Sequence, residues 1–196
     1  MRDMAEAMEA NLETFNDDAH RGFVMNAVLS ACHLIESNIN EIYTESAEQN
    51  TERLGALGQG AIELMAGVWK RGVPSKASLT TLEKYELALD FSIHASFDRT
   101  DDRFAETQTL MRLGDALVVV DQNWVLSQGD ARRCRLEREF FANKMQTRFA
   151  FQGPNSSPTL GSACARWAVT TALAFLDHFY EMIALMPPYE DVRSGL

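Results

Sequence analysis

The sequence has few of the residues that build covalent or metal-held scaffolds. Its 196 residues include only three cysteines, which are far apart and form no Cys-x-x-Cys pair. This argues against a disulfide framework or a zinc ribbon and favours a reducing compartment. No apolar run approaches the roughly 20 residues that a membrane-spanning helix needs, and acids recur through the N-terminal stretch, unlike a signal peptide. The sequence therefore predicts a cytoplasmic protein with no membrane partner.

Positive charge is also scarce. The chain has 18 Lys and Arg residues against 28 Asp and Glu residues, which gives a formal net charge of −10. Such a chain repels phosphate backbones on average, so we do not expect the isolated protein to bind nucleic acid. One basic cluster falls in a predicted charged helix over 131–144 and includes Arg132, Arg133, Arg135 and Arg138. Its interleaved glutamates favour a solvated helix face over a nucleic-acid contact.

Sustained alternation of apolar and polar residues is absent, whereas helical periodicity runs through nearly the whole chain. The expected helices span 18–47, 51–71, 79–95, 101–120, 131–144 and 159–185. The second contains four glycines, and we expect close approach of another helix to compensate for their low helix propensity. The pattern predicts an all-α fold: an antiparallel helical bundle of four long helices plus short peripheral helices, with no sheet.

The expected domain organisation is simple. Residues 1–16 form an amphipathic segment that docks on the bundle or on a partner, 17–186 form a single helical-bundle domain, and 187–196 form a loose C-terminal tail. The apolar stripes predict a set of buried core residues: Val28, Ile35, Leu89, Leu117, Trp167, Phe175 and Phe179.

The segment LMRLGDALVVVDQNW (Leu110–Trp124) carries the most information about function. It resembles the signature segment of the HEPN superfamily, in which Arg-Asn and three apolar residues precede a His, followed by a polar turn with a Trp. Two other segments, His33–Tyr43 and Cys164–Ile183, are similar to core helices of bacterial members of that superfamily. The resemblance implies a helical bundle that often dimerises across the face bearing the Arg and the His.

In active members of that superfamily, the Arg and His promote attack of a ribose 2′-hydroxyl on the adjacent phosphate. Arg neutralises developing phosphate charge, and His transfers a proton near neutral pH. In this chain the Arg position holds Gly114, the His position holds Val119, and Asp115 replaces the Asn. The resemblance therefore implies a scaffold without its catalytic pair, and we expect no catalytic residues.

An alternative site remains open. Glu36, His33 and Asp115 are polar residues on helices that we expect to face the position of the catalytic site in active members of the superfamily. Asn40 and Asp121 are expected to line the groove there. They could form a rebuilt hydrolytic site. The pairs His33–Glu36 and Asp90–His94 have the spacing of half a metal site, but Glu-x-x-His does not occur, so we expect neither metal nor cofactor.

The sequence leaves two possible functions, one a binding protein and the other an enzyme. The first is a non-catalytic HEPN-like module that binds protein, or RNA, in a context such as bacterial defence or a toxin–antitoxin-like system. The second is an RNase or other hydrolase with the rebuilt site. For either, the resemblance and the wide apolar surface of the first long helix predict a homodimer built on the first and fourth helices.

Overall fold

The computed structural model describes residues 1–49, 52–72, 79–124, 149–151 and 159–190. Within these residues the fold is all-α. The helices are α1 (Arg2–Ala10), α2 (Asp17–Glu48), α3 (Gln59–Lys70), α4 (Thr81–Ile93), α5 (Asp102–Trp124) and α6 (Ser162–Met182). Short 3-10 turns occupy Leu12–Thr14 and Gly55–Leu57. The one strand pairing among the described residues is antiparallel, between β1 (Ala150–Phe151) and β2 (Thr159–Leu160).

The prediction of an all-α fold is confirmed, with one small correction. The two-residue pairing of β1 with β2 is a sheet that helical periodicity could not reveal, because two residues are too few to show alternation. The antiparallel arrangement of four long helices stays a prediction. The predicted charged helix at 131–144 and its arginine cluster lie outside the described residues.

The start of α4 illustrates how the sequence sets a helix boundary. The Thr80 hydroxyl accepts a hydrogen bond from the Glu83 amide, and the Glu83 carboxylate accepts one from the Thr80 amide at 2.6 Å. This capping box satisfies amides that the first turn would leave without partners. The motif Thr-x-x-Glu is visible in the sequence and fixes the start two residues after the predicted one.

The expectation for the glycines of the second predicted helix is wrong. That helix begins at Gln59 and not at residue 51, because Gly58 adopts a φ of 79° that ends the preceding turn. A Cβ added at any of four glycines would meet no other atom within 4 Å: Gly55, Gly58, Gly60 and Gly67. Among the described residues, no neighbouring helix approaches these four glycines closely. The glycines that do lie at close approaches are Gly114 and Gly161.

The chain divides into two compact units. Unit one comprises Met1–Cys32 and Thr107–Thr171. Among the described residues, its core consists of small and medium apolar side chains from α1, α2, α5 and α6. Two aromatic rings join them, those of Phe149 and Trp167, whose centroids are 4.9 Å apart. The N-terminal helix α1 belongs to this unit, and the docking of residues 1–16 on the bundle or on a partner stays a prediction.

Unit two comprises His33–Glu106 and Ala172–Leu196. Its core is aromatic: the Tyr85 ring meets Phe175 and Phe179 edge-on, with centroids 4.9 and 4.6 Å away. The Tyr85 hydroxyl donates to the Ile35 carbonyl oxygen at 2.7 Å, so its polar end is satisfied inside the core. Tyr189 donates to Asp177, which ties the start of the predicted loose tail to α6.

Most of the predicted core is buried. Val28, Ile35, Leu89, Trp167, Phe175 and Phe179 are each at most 6% exposed. Leu117 is half-buried, so that assignment is wrong; the buried stripe of the described α5 side chains ends at Gly114. Among the described residues, no helix is both long enough and apolar enough to cross a membrane. The single-domain boundaries of 17–186 stay a prediction.

Candidate functional site

A groove of about 660 Å³ lies in unit two along one face of α2. Its described lining residues recur every three or four positions: His33, Glu36, Ser37, Asn40, Glu41, Thr44, Glu45 and Glu48. That spacing places them on one helix face, whereas Ile35, Ile39 and Ile42 between them are fully buried. Three of the residues predicted for a site, His33, Glu36 and Asn40, therefore line one groove.

A buried lysine supports this groove from α4. The Lys84 side chain is only 6% exposed, and its Nζ donates to Asn40 Oδ1 at 3.0 Å and lies 4.0 Å from Glu36 Oε1. The Lys84 carbonyl oxygen accepts a hydrogen bond from the Tyr43 hydroxyl at 3.1 Å. A buried ammonium needs such partners, since an uncompensated buried charge is costly. Lys84 therefore holds Asn40 in place, whereas Glu36 only lies near the ammonium and stays exposed.

A second cation holds the opposite end of the groove. Arg53 forms a bidentate pair with Glu45, with Nη2 2.8 Å and Nε 3.0 Å from Glu45 Oε2 and Nε 3.2 Å from Oε1. Its Nη2 also lies 3.9 Å from Glu41 Oε2. Glu45 is thus neutralised in place, whereas the Glu41 side chain is half exposed and Glu48 is exposed. Among the described residues, four lining glutamates oppose two cations, so this part of the groove carries net negative charge.

The geometry around His33 gives little support to acid–base catalysis. His33 and Glu36 are both exposed, and among the described residues no hydrogen bond joins them or holds the imidazole in place. A general base works best when a neighbouring group fixes its orientation and tautomer. What the groove offers instead is a row of carboxylate and amide oxygens.

Gly114, in the segment Leu110–Trp124, lies at a close helix–helix contact in unit one. Gly114 on α5 is buried, and a Cβ added there would lie 2.6 Å from Cys32 Sγ and 3.4 Å from Cys32 Cβ on α2. The Cys32 thiol donates to the Leu110 carbonyl oxygen at 3.5 Å. Gly114 is therefore a point of close contact between α2 and α5. Asp115 next to it is exposed.

The remaining predicted site residues are only partly described. The side chains of Val119 and Asp121 lie outside the described residues. Asp115 belongs to unit one, whereas His33, Glu36 and Asn40 belong to unit two. Among the residues that the structure describes, no group of three or more His, Cys, Asp or Glu side chains is placed to hold a metal ion.

Lys84 is the site residue that sequence reasoning missed. A usable signal was present, because Lys84 lies one turn before the buried Ala88, next to the inward-facing Tyr85. A charged residue on an otherwise buried helix face indicates a buried polar contact. The sequence matches no protein-family model, and comparisons with curated proteins and with solved structures give no match.

Proposed function

We propose that this chain is a non-catalytic, HEPN-like cytoplasmic module that acts by binding a protein partner. The observation that carries the proposal is Gly114. At the position where an active member has its Arg, the chain has a buried residue without a side chain, against Cys32. A cation there would have to displace a helix–helix contact in order to reach a substrate.

The binding face in this proposal is the α2 groove. Its exposed carboxylates, above all Glu41 and Glu48, favour a basic partner segment and disfavour a phosphate backbone. Arg53 holds Glu45 and Lys84 holds Asn40 in fixed positions, which lowers the entropy lost when a partner binds.

The binding test uses a labelled Lys/Arg-rich peptide as the probe, titrated at low and physiological salt. We expect Glu41→Lys to weaken binding by about tenfold or more, because it reverses a charge in the groove. Glu63→Lys is the matched control, since Glu63 is exposed on α3 outside the groove lining. Equal binding by wild type and both variants would contradict the proposed face.

The alternative function is a hydrolase with a rebuilt site at Glu36, His33 and Asp115. It is favoured by one observation, that His33 and Glu36 line the same groove. The test incubates the protein with mixed single-stranded RNA, with and without a chelator or added divalent metal. The binding-module proposal expects no cleavage above background. Cleavage that Glu36→Gln or His33→Ala abolishes would replace it with the hydrolase.

The homodimer is also a proposal, built on α2 and α5. The apolar side chains of α2 that motivated it are covered within the chain, for example Val28 and Ile35, each fully buried. What supports it is narrower: Val118 on α5 is 47% exposed. Light scattering at micromolar concentration tests it, and a mass near 22 kDa, that of one chain, would remove the dimer without affecting the binding-module proposal.

A further inference from the structure

The N-terminal helix α1 is attached to unit one through one carboxylate. Glu9 Oε1 accepts a hydrogen bond from the Ser162 amide at 2.6 Å, and Glu9 Oε2 accepts one from the Ser162 hydroxyl at 2.6 Å. His20 Nε2 lies 2.8 Å from Glu9 Oε1, and His20 is only 1% exposed. Three donors from α2 and α6 thus converge on a single side chain of α1.

The geometry around Glu9 is specific to this contact. Ser162 is the first residue of α6, so the carboxylate occupies the N-terminus of that helix, where negative charge is favoured. Gly161 precedes it, and a Cβ at Gly161 would lie 3.0 Å from Glu9 Oε1 and 2.6 Å from Phe151 Cβ. Only a residue without a side chain leaves room for both the Glu9 carboxylate and Phe151 Cβ.

Among the described residues, the other attachments of α1 are weak. Ala5 is its one buried residue, whereas Met1 and Met4 are more than half exposed. The Glu6–Arg166 ion pair is solvent-exposed, and such pairs contribute little. A nine-residue helix without a side-chain N-cap is not stable in isolation. The order of α1 therefore depends on Glu9.

The end of the segment nearest α2 is anchored differently. The Phe15 ring packs against His20 and Phe151, with centroids 5.1 and 5.2 Å away. Asn16 Oδ1 accepts a hydrogen bond from the Ala19 amide and so caps α2. This anchor makes no use of Glu9, so it can persist when the Glu9 contacts break.

We propose that Met1–Ala10 is a strap latched by Glu9, which opens about the Leu12–Thr14 turn while α2, α5 and α6 stay folded. Opening frees His20 Nε2 and the amide and hydroxyl of Ser162, while Phe15 stays packed on the His20 ring. Unit one then has two states that differ in access to these donors. This conformational device is independent of the α2 groove and of the proposed function.

Native-state hydrogen exchange of the full chain tests the strap, with Glu9→Gln as the main variant. We expect the α1 amides to exchange at least about tenfold faster, the factor set by losing charge-assisted hydrogen bonds. The α2 core amides, such as those of Val24 and Val28, should keep their rates. Glu13→Gln is the matched control, because Glu13 is exposed in the same segment and loses the same charge.

Two results would overturn the strap. One is equal exchange of α1 in Glu9→Gln and Glu13→Gln. The other is faster exchange throughout unit one in Glu9→Gln, which would make Glu9 part of its folding core. If Glu9→Gln does not fold, Ser162→Ala takes its place, since it removes one donor and keeps the carboxylate. Faster α1 exchange alone supports the strap in that variant, and unchanged exchange refutes it.

Discussion

Replacing Gly114 by Ala tests the close contact between α2 and α5 in unit one. Two effects oppose each other. Ala is favoured over Gly in a helix interior by about 0.8–1.0 kcal/mol. Against this, the new Cβ would lie 2.6 Å from Cys32 Sγ, about 1 Å inside the usual contact distance of roughly 3.5–4.0 Å.

The magnitude decides which effect prevails. Overpacking a well-packed contact typically costs about 1–3 kcal/mol. Subtracting the propensity gain leaves a net loss of roughly 0–2 kcal/mol, so we expect Gly114→Ala to destabilise the chain by about 1 kcal/mol. In a Cys32→Ala background the sulfur is gone and the nearest atom is the Cβ at 3.4 Å. There the same substitution should stabilise by up to about 1 kcal/mol.

Urea titrations followed by circular dichroism measure both effects as shifts in midpoint at constant slope. Gly22→Ala is the control, because Gly22 lies within α2 and a Cβ there meets no atom within 4 Å. It should gain up to about 1 kcal/mol. The reasoning fails if Gly114→Ala stabilises the wild-type chain as much as Gly22→Ala does. It also fails if removing the Cys32 thiol leaves the effect of Gly114→Ala unchanged.

Four further predictions concern unit two. Phe175→Ala should cost about 3–5 kcal/mol in a denaturant titration, because the ring is fully buried, and a loss below about 1 kcal/mol would contradict that placement. Tyr85→Phe should cost about 0.5–1.5 kcal/mol by removing the bond to the Ile35 carbonyl oxygen. Burial also raises the pKa of Tyr85, so an absorbance titration should show no ionisation of this phenol before unfolding. Hydrogen bonds from the Arg103 side chain and amide lower the pKa of Asp101 to about 2. Because this pKa is lower in the folded than in the unfolded chain, the ionised carboxylate stabilises the folded state above the unfolded pKa of about 4. That stabilisation is lost as the pH falls from about 4 towards 2. Thermal unfolding of Asp101→Asn should therefore depend less on pH in that window.

Helix existence was predictable because amphipathic periodicity is a local property of the chain. The pattern placed α2 at 18–47, and the structure has Asp17–Glu48. The errors arose where one backbone conformation or one short motif overrides the pattern. Gly58, with its positive φ, delays α3, and the Thr80 capping box sets the start of α4. Both features depend on a few atoms and leave no periodic signal.

The site was predictable only where its residues share a helix. His33, Glu36 and Asn40 follow one another on α2, so their common face could be read from spacing. Lys84 donates to a residue 44 positions away, and Glu9 accepts from one 153 positions away. Periodicity can place Lys84 on a buried helix face. The partners of Lys84 and Glu9, however, depend on how the helices pack, and composition and periodicity do not specify that packing.

Gly114 bears both on helix packing and on the proposal that the chain is non-catalytic. If the close contact with Cys32 is needed for stability, an Arg at this position places its first methylene against the same sulfur. We expect Gly114→Arg to cost at least as much stability as Gly114→Ala, since the guanidinium must also stay solvated. We expect that adding Val119→His does not confer RNA cleavage, because the exposed Asp115 next to Gly114 repels phosphate. Packing and charge thus oppose an Arg–His pair at these positions independently. A stable double variant that cleaved RNA in the presence of a chelator would refute both arguments.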